Sequence, residues 1–146
     1  MQRKTKLVLA GVLVAGLGFS LGACNKDDDD ERPLVQSVEV DLGERNDSGY
    51  QGQAVLASAG DGRTTIVMAL RGGTDDRGAG LPVRVQRGTC DGVAGDIVHE
   101  LDDVQGGFLI DTFDAPLEEL VDGDFVVIAY QSGSQSVYLA CGEIED

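Results

Sequence analysis

The stretch LPVRVQRGTC, residues 81–90, decides how this chain is expected to fold. Val83 and Val85 alternate with Arg84 and Gln86. Successive side chains of a strand point to opposite faces, so the pattern predicts a strand with one apolar and one polar face. A glycine then ends the strand, and a cysteine follows just beyond it.

A second stretch, VYLACGEI, residues 137–144, has the same character near the C-terminus. Its alternation predicts a strand with Val137, Leu139 and Cys141 on one face and the intervening residues on the other. Each of the two stretches contains a cysteine.

These two stretches resemble motifs of the copper/zinc superoxide dismutase-like family, which includes small bacterial lipoproteins. The family pattern is Pro-x-His-x-His-x-Gly-Thr-Cys, followed by a C-terminal Ala-Cys-Gly-x-Ile. The resemblance covers residues 49–144 and implies a Greek-key β-sandwich or flattened barrel. It also implies a disulfide between Cys90 and Cys141. The two histidine positions are occupied here by Arg84 and Gln86, and a third family histidine aligns with Tyr130. The resemblance therefore implies the family's scaffold without its metal ligands.

Residues 1–23 have the features of a bacterial lipoprotein signal peptide. Three basic residues precede an apolar run over residues 7–21, and LGAC at residues 21–24 resembles a lipobox. The resemblance implies cleavage before Cys24 and diacylation of that cysteine. A short transmembrane anchor is the first alternative, although about 15 apolar residues fall short of the roughly 20 needed to span a bilayer. An ordinary signal peptide with a chance cysteine is the second.

Residues 24–33 contain five consecutive acidic residues and no apolar side chain after the cysteine. Such a run repels itself and cannot bury enough surface to fold. It predicts a tether that holds the following domain, residues 34–146, away from the membrane. The expected location is the bacterial cell envelope, outside the cytoplasm.

The cysteine count agrees with an exported protein. Three cysteines leave one unpaired, and lipidation of Cys24 would leave Cys90 and Cys141 as a pair in an oxidising compartment. Closing a loop of about 50 residues stabilises the folded state by roughly 4 kcal/mol in the entropic account. Two buried free thiols are the alternative.

The domain is predicted to be all-β, with about eight short strands at regular spacing. Residues 50–57 and 63–71 form one predicted hairpin, and residues 96–101 and 107–113 form a second. A single helical turn is expected within residues 114–120, where Asp114 is an N-cap candidate and Pro116 follows early. The remaining strands are predicted at residues 34–42, 81–87, 124–130 and 136–144.

Catalytic constellations are absent from the sequence. Copper at a dismutase site needs several imidazoles, and the chain has one histidine, His99, away from the family's ligand positions. We therefore expect no metal, no cofactor and no dismutase activity. Adjacent acids in loops could suit calcium, although such pairs are more often solvated; they are Asp75 and Asp76, Asp102 and Asp103, and Glu118 and Glu119.

Two interpretations of the replaced ligand positions remain open. In one, the Arg84 guanidinium stands in for the metal cation and pairs with a loop acid such as Asp91 or Asp103. In the other, Arg84, Gln86 and Tyr130 face solvent with no role.

The charge balance limits the partners of the chain. It has 26 acidic and 11 basic residues. Removing the three basic residues of the signal peptide leaves 8, a net charge near −18. This excludes nucleic acid as an expected partner and leaves membrane attachment to the lipid on Cys24.

The sequence thus predicts a non-catalytic, lipid-anchored domain with a binding or structural role at the cell surface, its partner an unidentified surface protein or ligand. A metal-dependent dismutase-like or metal-handling protein with a rearranged site is one alternative. A calcium-stabilised adhesion module is the other.

Overall fold

Residues 36–73, 80–92 and 95–146 are described by the computed structural model, and they lie in the unit Pro33–Asp146. The predicted signal peptide, the predicted lipidation site Cys24 and the predicted acidic tether lie outside the described residues. The acid pair Asp75 and Asp76 lies outside them as well.

Eight strands and one short helix make up the described chain, which confirms the predicted all-β class. In chain order the elements are β1 (Ser37–Glu44), β2 (Tyr50–Gly60), β3 (Arg63–Gly72), β4 (Val83–Arg87), β5 (Ile97–Glu100), β6 (Phe108–Phe113), α1 (Leu117–Asp122), β7 (Phe125–Tyr130) and β8 (Tyr138–Ile144).

The strands form one antiparallel, barrel-like sheet that is nearly closed. Its order is β5-β4-β7-β8-β1-β2-β3-β6. The two end strands, β5 and β6, follow one another in the chain. Their rings meet across the remaining gap, where the centroid of His99 lies 5.0 Å from that of Phe113.

The predicted hairpin of β2 and β3 is confirmed, with Gln51 opposite Arg71 and Ser58 opposite Thr64. Its tight turn is made by Asp61 and Gly62, whose φ angles are 53° and 71°. Two successive left-handed residues match the twist of an antiparallel pair, and Asp-Gly is a favoured sequence for this turn.

The second predicted hairpin is wrong, although both of its strands exist. β5 pairs with β4 and β6 pairs with β3. The segment between them is held by the start of the β4 region, because Leu81 and Val104 exchange backbone hydrogen bonds of 3.0 and 2.9 Å. Val104 is buried in the core. This anchoring directs β5 and β6 to opposite ends of the sheet instead of to each other.

The predicted helical turn occurs slightly later in the chain than expected. Pro116, not Asp114, occupies the N-cap position with extended backbone, and Gly123 ends the helix. Leu117 and Leu120 pack into the core. Among the described residues, no helix is long and apolar enough to cross a membrane.

The predicted face pattern of β8 is wrong. Leu139 and Ala140 both pack into the main core, whereas Tyr138 and Cys141 pack on the opposite side of the sheet. The cause is a register shift in the pairing of β7 with β8, where Tyr130 lies opposite Tyr138 and Ala129 opposite Ala140. A bulge adds one residue and reverses the faces beyond it, so Leu139 and Cys141 point to different sides.

Candidate functional site

The outer face of β4 and β7 brings together the three positions that the sequence singled out. The two strands are antiparallel neighbours. Val83 and Val85 fill the core, so Arg84 and Gln86 lie on the outer side of β4. Tyr130 ends β7, and its N–H donates to the carbonyl of Pro82 at 2.8 Å.

The three side chains contact one another. The Tyr130 hydroxyl donates a hydrogen bond to Oε1 of Gln86. The guanidinium carbon of Arg84 lies 4.9 Å from the centroid of the Tyr130 ring, within the range of a cation–π interaction. Tyr130 and Gln86 are only 1% and 5% exposed, and the side chain of Arg84 is 12% exposed. The interpretation in which these residues face solvent is wrong.

Arg84 has an ionic partner, but not one of the predicted acids. Its Nη2 lies 3.6 Å from Oε1 of Glu100, which β5 places directly opposite Arg84. Asp91 pairs instead with Arg45. The sequence missed Glu100 because it assigned β5 to the wrong neighbour. The Glu100 side chain is 72% exposed, so the pair itself contributes less than about 1 kcal/mol.

Gln86 is bonded at both ends of its amide. Its oxygen accepts from Tyr130, and its Nε2 donates to the carbonyl of Gly95 at 3.3 Å. Gly95 lies near the end of the segment that connects β4 to β5. A buried amide with both ends satisfied avoids a desolvation penalty, and it ties this segment to the strand beneath.

Tyr138 completes the group on the side of β8. Its ring meets that of Tyr130 edge to face, with centroids 5.1 Å apart. Burial raises the pKa of the Tyr130 phenol, and Tyr138 adds to the increase, while Arg84 acts in the opposite direction. The phenol is therefore held in its neutral form, which suits a hydrogen-bond donor.

The cysteine loop, residues 88–92, lies against the same side of the sheet. Cys90 forms a disulfide with Cys141 of β8, with Cα atoms 5.8 Å apart. The N–H of Cys90 donates to Oε1 of Glu143 at 3.1 Å, and Arg45 Nη1 lies 3.3 Å from Oδ1 of Asp91. A covalent bond, a hydrogen bond and an ion pair thus fix this loop.

A second, smaller apolar cluster lies beneath the loop. Val126, Ile128, Tyr130 and Cys141 form it, and partly buried side chains pack against it. All six residues of β7 are buried, so this strand is covered on both faces. The run FVVIAY at residues 125–130 carried that signal, because an unbroken apolar run is typical of a strand buried on both sides.

His99 stands apart from this group. It lies opposite Val85, a core residue of β4, whereas Arg84 points to the other face. Within the part of the chain that the structure describes, no group of three or more His, Cys, Asp or Glu residues could hold a metal ion. Among the acid pairs considered for calcium, Asp102, Asp103, Glu118 and Glu119 are all exposed, and the last two lie in α1 rather than in a loop.

The residues at the three positions do not fit the copper or zinc that the family resemblance implies. Arg84 places a permanent positive charge where a cation would bind. The polar atoms of Gln86 and Tyr130 that could bind a metal already form hydrogen bonds within the protein. A raised phenol pKa further disfavours the tyrosinate that could serve as a ligand.

A scan against protein-family models, a search of curated proteins and a search of solved structures each found no match. The dismutase-like resemblance therefore rests on the motifs of the sequence itself.

Replacing Arg84 with Leu should lower the free energy of unfolding by about 1–2 kcal/mol, because the change removes a desolvated cation–π contact. Arg87→Leu is a matched control. Its guanidinium lies 5.0 Å from the Phe125 ring, but Arg87 is exposed, and we expect about 0.5 kcal/mol. Urea unfolding measures both. Equal losses would contradict a special role for Arg84.

Tyr130 should ionise at a higher pH than an ordinary tyrosine, because its pKa is raised. Its folded-state pKa is raised above the unfolded value of about 10, so its contribution to stability is complete below that pH and is lost as the pH rises through the folded-state value. The chain has three tyrosines and no tryptophan, so ultraviolet absorbance follows tyrosinate directly. Tyr130→Phe should remove the part of the absorbance rise that occurs at the highest pH, whereas Tyr50→Phe should retain it. If this high-pH rise in absorbance persists in Tyr130→Phe, Tyr130 is not its source.

Proposed function

We propose that this chain is a non-catalytic, lipid-anchored extracytoplasmic domain on a dismutase-like scaffold, with a binding or structural role at the cell surface. The observation that carries the proposal is the closed set of contacts among Arg84, Gln86 and Tyr130. The polar atoms that a metal or substrate would need are used within the protein, and the phenol and amide are buried.

The strand order supports the dismutase-like scaffold. β3 and β4 are consecutive in the chain but not neighbours in the sheet, and neither are β6 and β7. Connections that cross a barrel-like sheet in this way are characteristic of Greek-key topology. The three replaced positions also lie together on two adjacent strands, as a former ligand set on that scaffold would.

The disulfide supports an extracytoplasmic location. Disulfides persist in oxidising compartments, and Cys90 and Cys141 are joined, which leaves Cys24 of the three cysteines for lipid. The large excess of acidic residues favours solubility.

Metal content tests the non-catalytic part of the proposal. Residues 34–146, purified with the disulfide intact, exposed to copper, zinc and calcium and then dialysed, should retain no stoichiometric metal and should not dismutate superoxide. Stoichiometric copper or zinc would instead support a metal-handling protein. Stoichiometric calcium, with a calcium-dependent rise in melting temperature, would support an adhesion module.

A histidine variant tests the scaffold assignment in the same assay. Arg84→His/Gln86→His/Tyr130→His should bind copper or zinc at least about 10-fold more tightly than Glu39→His/Asp41→His. The control places two histidines at the same i, i+2 spacing on the outer face of β1, without a third ligand. Equal affinities would contradict the view that the three positions form a former metal site.

Lipidation has its own test in a bacterial host. The wild-type chain should incorporate labelled palmitate and sediment with membranes, and Cys24→Ser should do neither. A Cys24→Ser protein that stays in the membrane would support a transmembrane anchor. A soluble, unlabelled wild-type protein would support an ordinary signal peptide.

A further inference from the structure

An apolar strip lies on the outer face of β2, β3 and β6, on the part of the sheet away from the cysteine loop. Ile110 and Phe108 of β6 are 70% and 67% exposed, and Val67 of β3 is 46% exposed. The register places Val67 beside both Ile110 and Val55, and Ala69 beside Phe108. We define these five residues as the apolar strip. Its large exposed side chains are adjacent to one another, which distinguishes them from scattered exposed hydrophobics.

On β2, β3 and β6, no acidic side chain shares the outer face with the strip. Asp111 of β6 follows Ile110 in the chain, but it lies opposite the core residue Ile66 and accepts a hydrogen bond from the N–H of Asp102. The outward neighbours along these strands are Thr65, Thr112, Gln51 and Gln53, all uncharged. Thr65 and Thr112 bond to each other through their hydroxyls at 2.7 Å. Acids appear on the adjoining strand β1, as Glu39 and Asp41, which lie opposite Val55 and Gln53. Arg71 marks another boundary, opposite Gln51.

This charge pattern favours a second copy of the chain as the partner that binds the strip. The chain has 26 acidic and 11 basic residues, so two copies repel each other through most of their surface. An uncharged face lowers that repulsion where the copies touch, because charges more than a Debye length of about 8 Å away are largely screened. The nearer acids, Glu39 and Asp41, lie along one edge of the strip only. A basic partner would gain more from the acidic surfaces than from this strip. The boundaries also carry both signs, so Arg71 of one copy can approach Glu39 or Asp41 of the other in a two-fold arrangement.

We propose that the apolar strip is the contact surface of a weak, reversible homodimer. Neighbouring strands are about 4.8 Å apart, so a strip three strands wide on the outside of a barrel-like sheet is smaller than the roughly 800 Å² per partner of a standard interface. Small interfaces of this class form transient complexes. Ile110 and Phe108 are its most exposed side chains and serve as its anchors, in keeping with the concentration of binding energy in a few residues. The proposal does not depend on metal content or on the lipid.

Sedimentation equilibrium of residues 25–146, which include the whole unit Pro33–Asp146, tests the proposal. The wild type should show a monomer–dimer equilibrium with a dissociation constant between about 10 µM and 1 mM. Ile110→Lys should weaken dimerisation at least about 10-fold, because it buries a charge within the strip. Val137→Lys changes an exposed valine outside the strip and should dimerise like the wild type.

Three outcomes would overturn the proposal. The first is a wild type that stays monomeric up to about 1 mM, and the second is an Ile110→Lys variant that dimerises like the wild type. The third is a monomeric wild type that binds phosphatidylcholine vesicles through the strip and loses that binding in Ile110→Lys, which would assign the surface to a membrane. Circular dichroism of each variant establishes that the fold is intact. If Ile110→Lys is unfolded, Ile110→Ser carries the same test with a smaller expected effect.

Discussion

The disulfide between Cys90 and Cys141 is the constraint on which the candidate site depends. It joins the cysteine loop to β8 and holds that loop against the outer face of the sheet, where Cys90 packs on the small cluster around Tyr130. Without this cover, the outer face of β7 would expose Val126 and Ile128 to water, and the contact of Gln86 with Gly95 would lose its support. This outer layer covers only a small part of the sheet, but because of it β7 is buried on both faces.

The polar network within this layer has a different role from the disulfide. Gln86 and the Tyr130 hydroxyl satisfy each other, so two polar groups are buried at low cost. Arg84 covers the Tyr130 ring and reaches Glu100 at the surface. This arrangement resembles a packed polar core more than a binding pocket. A surface role for the domain is therefore better sought elsewhere, on faces such as the strip around Ile110.

The sequence predicted the strands well because alternation and turn residues are local signals. Val83 and Val85 lie in the core and β2 and β3 form a hairpin, as their patterns indicated. The errors arose where tertiary contacts determined which strands pair and which face a side chain occupies. Val104 anchors the connection that separates β5 from β6, and the bulge in β8 reverses the faces of Leu139 and Cys141. The grouping of Arg84, Gln86 and Tyr130 was indicated only by the family resemblance, and predicting the contact with Glu100 required the correct neighbour of β4 to be known.

The most direct test of the account is the free energy of unfolding of residues 34–146 and of the Cys90→Ser/Cys141→Ser variant, each measured with and without a strong chelator. If the disulfide and the internal contacts stabilise the outer layer without metal, the variant should lose about 4 kcal/mol and the chelator should change the stability of neither protein. A stability that falls when the chelator is added would contradict this expectation, because only a metal bound to the native state can produce that change.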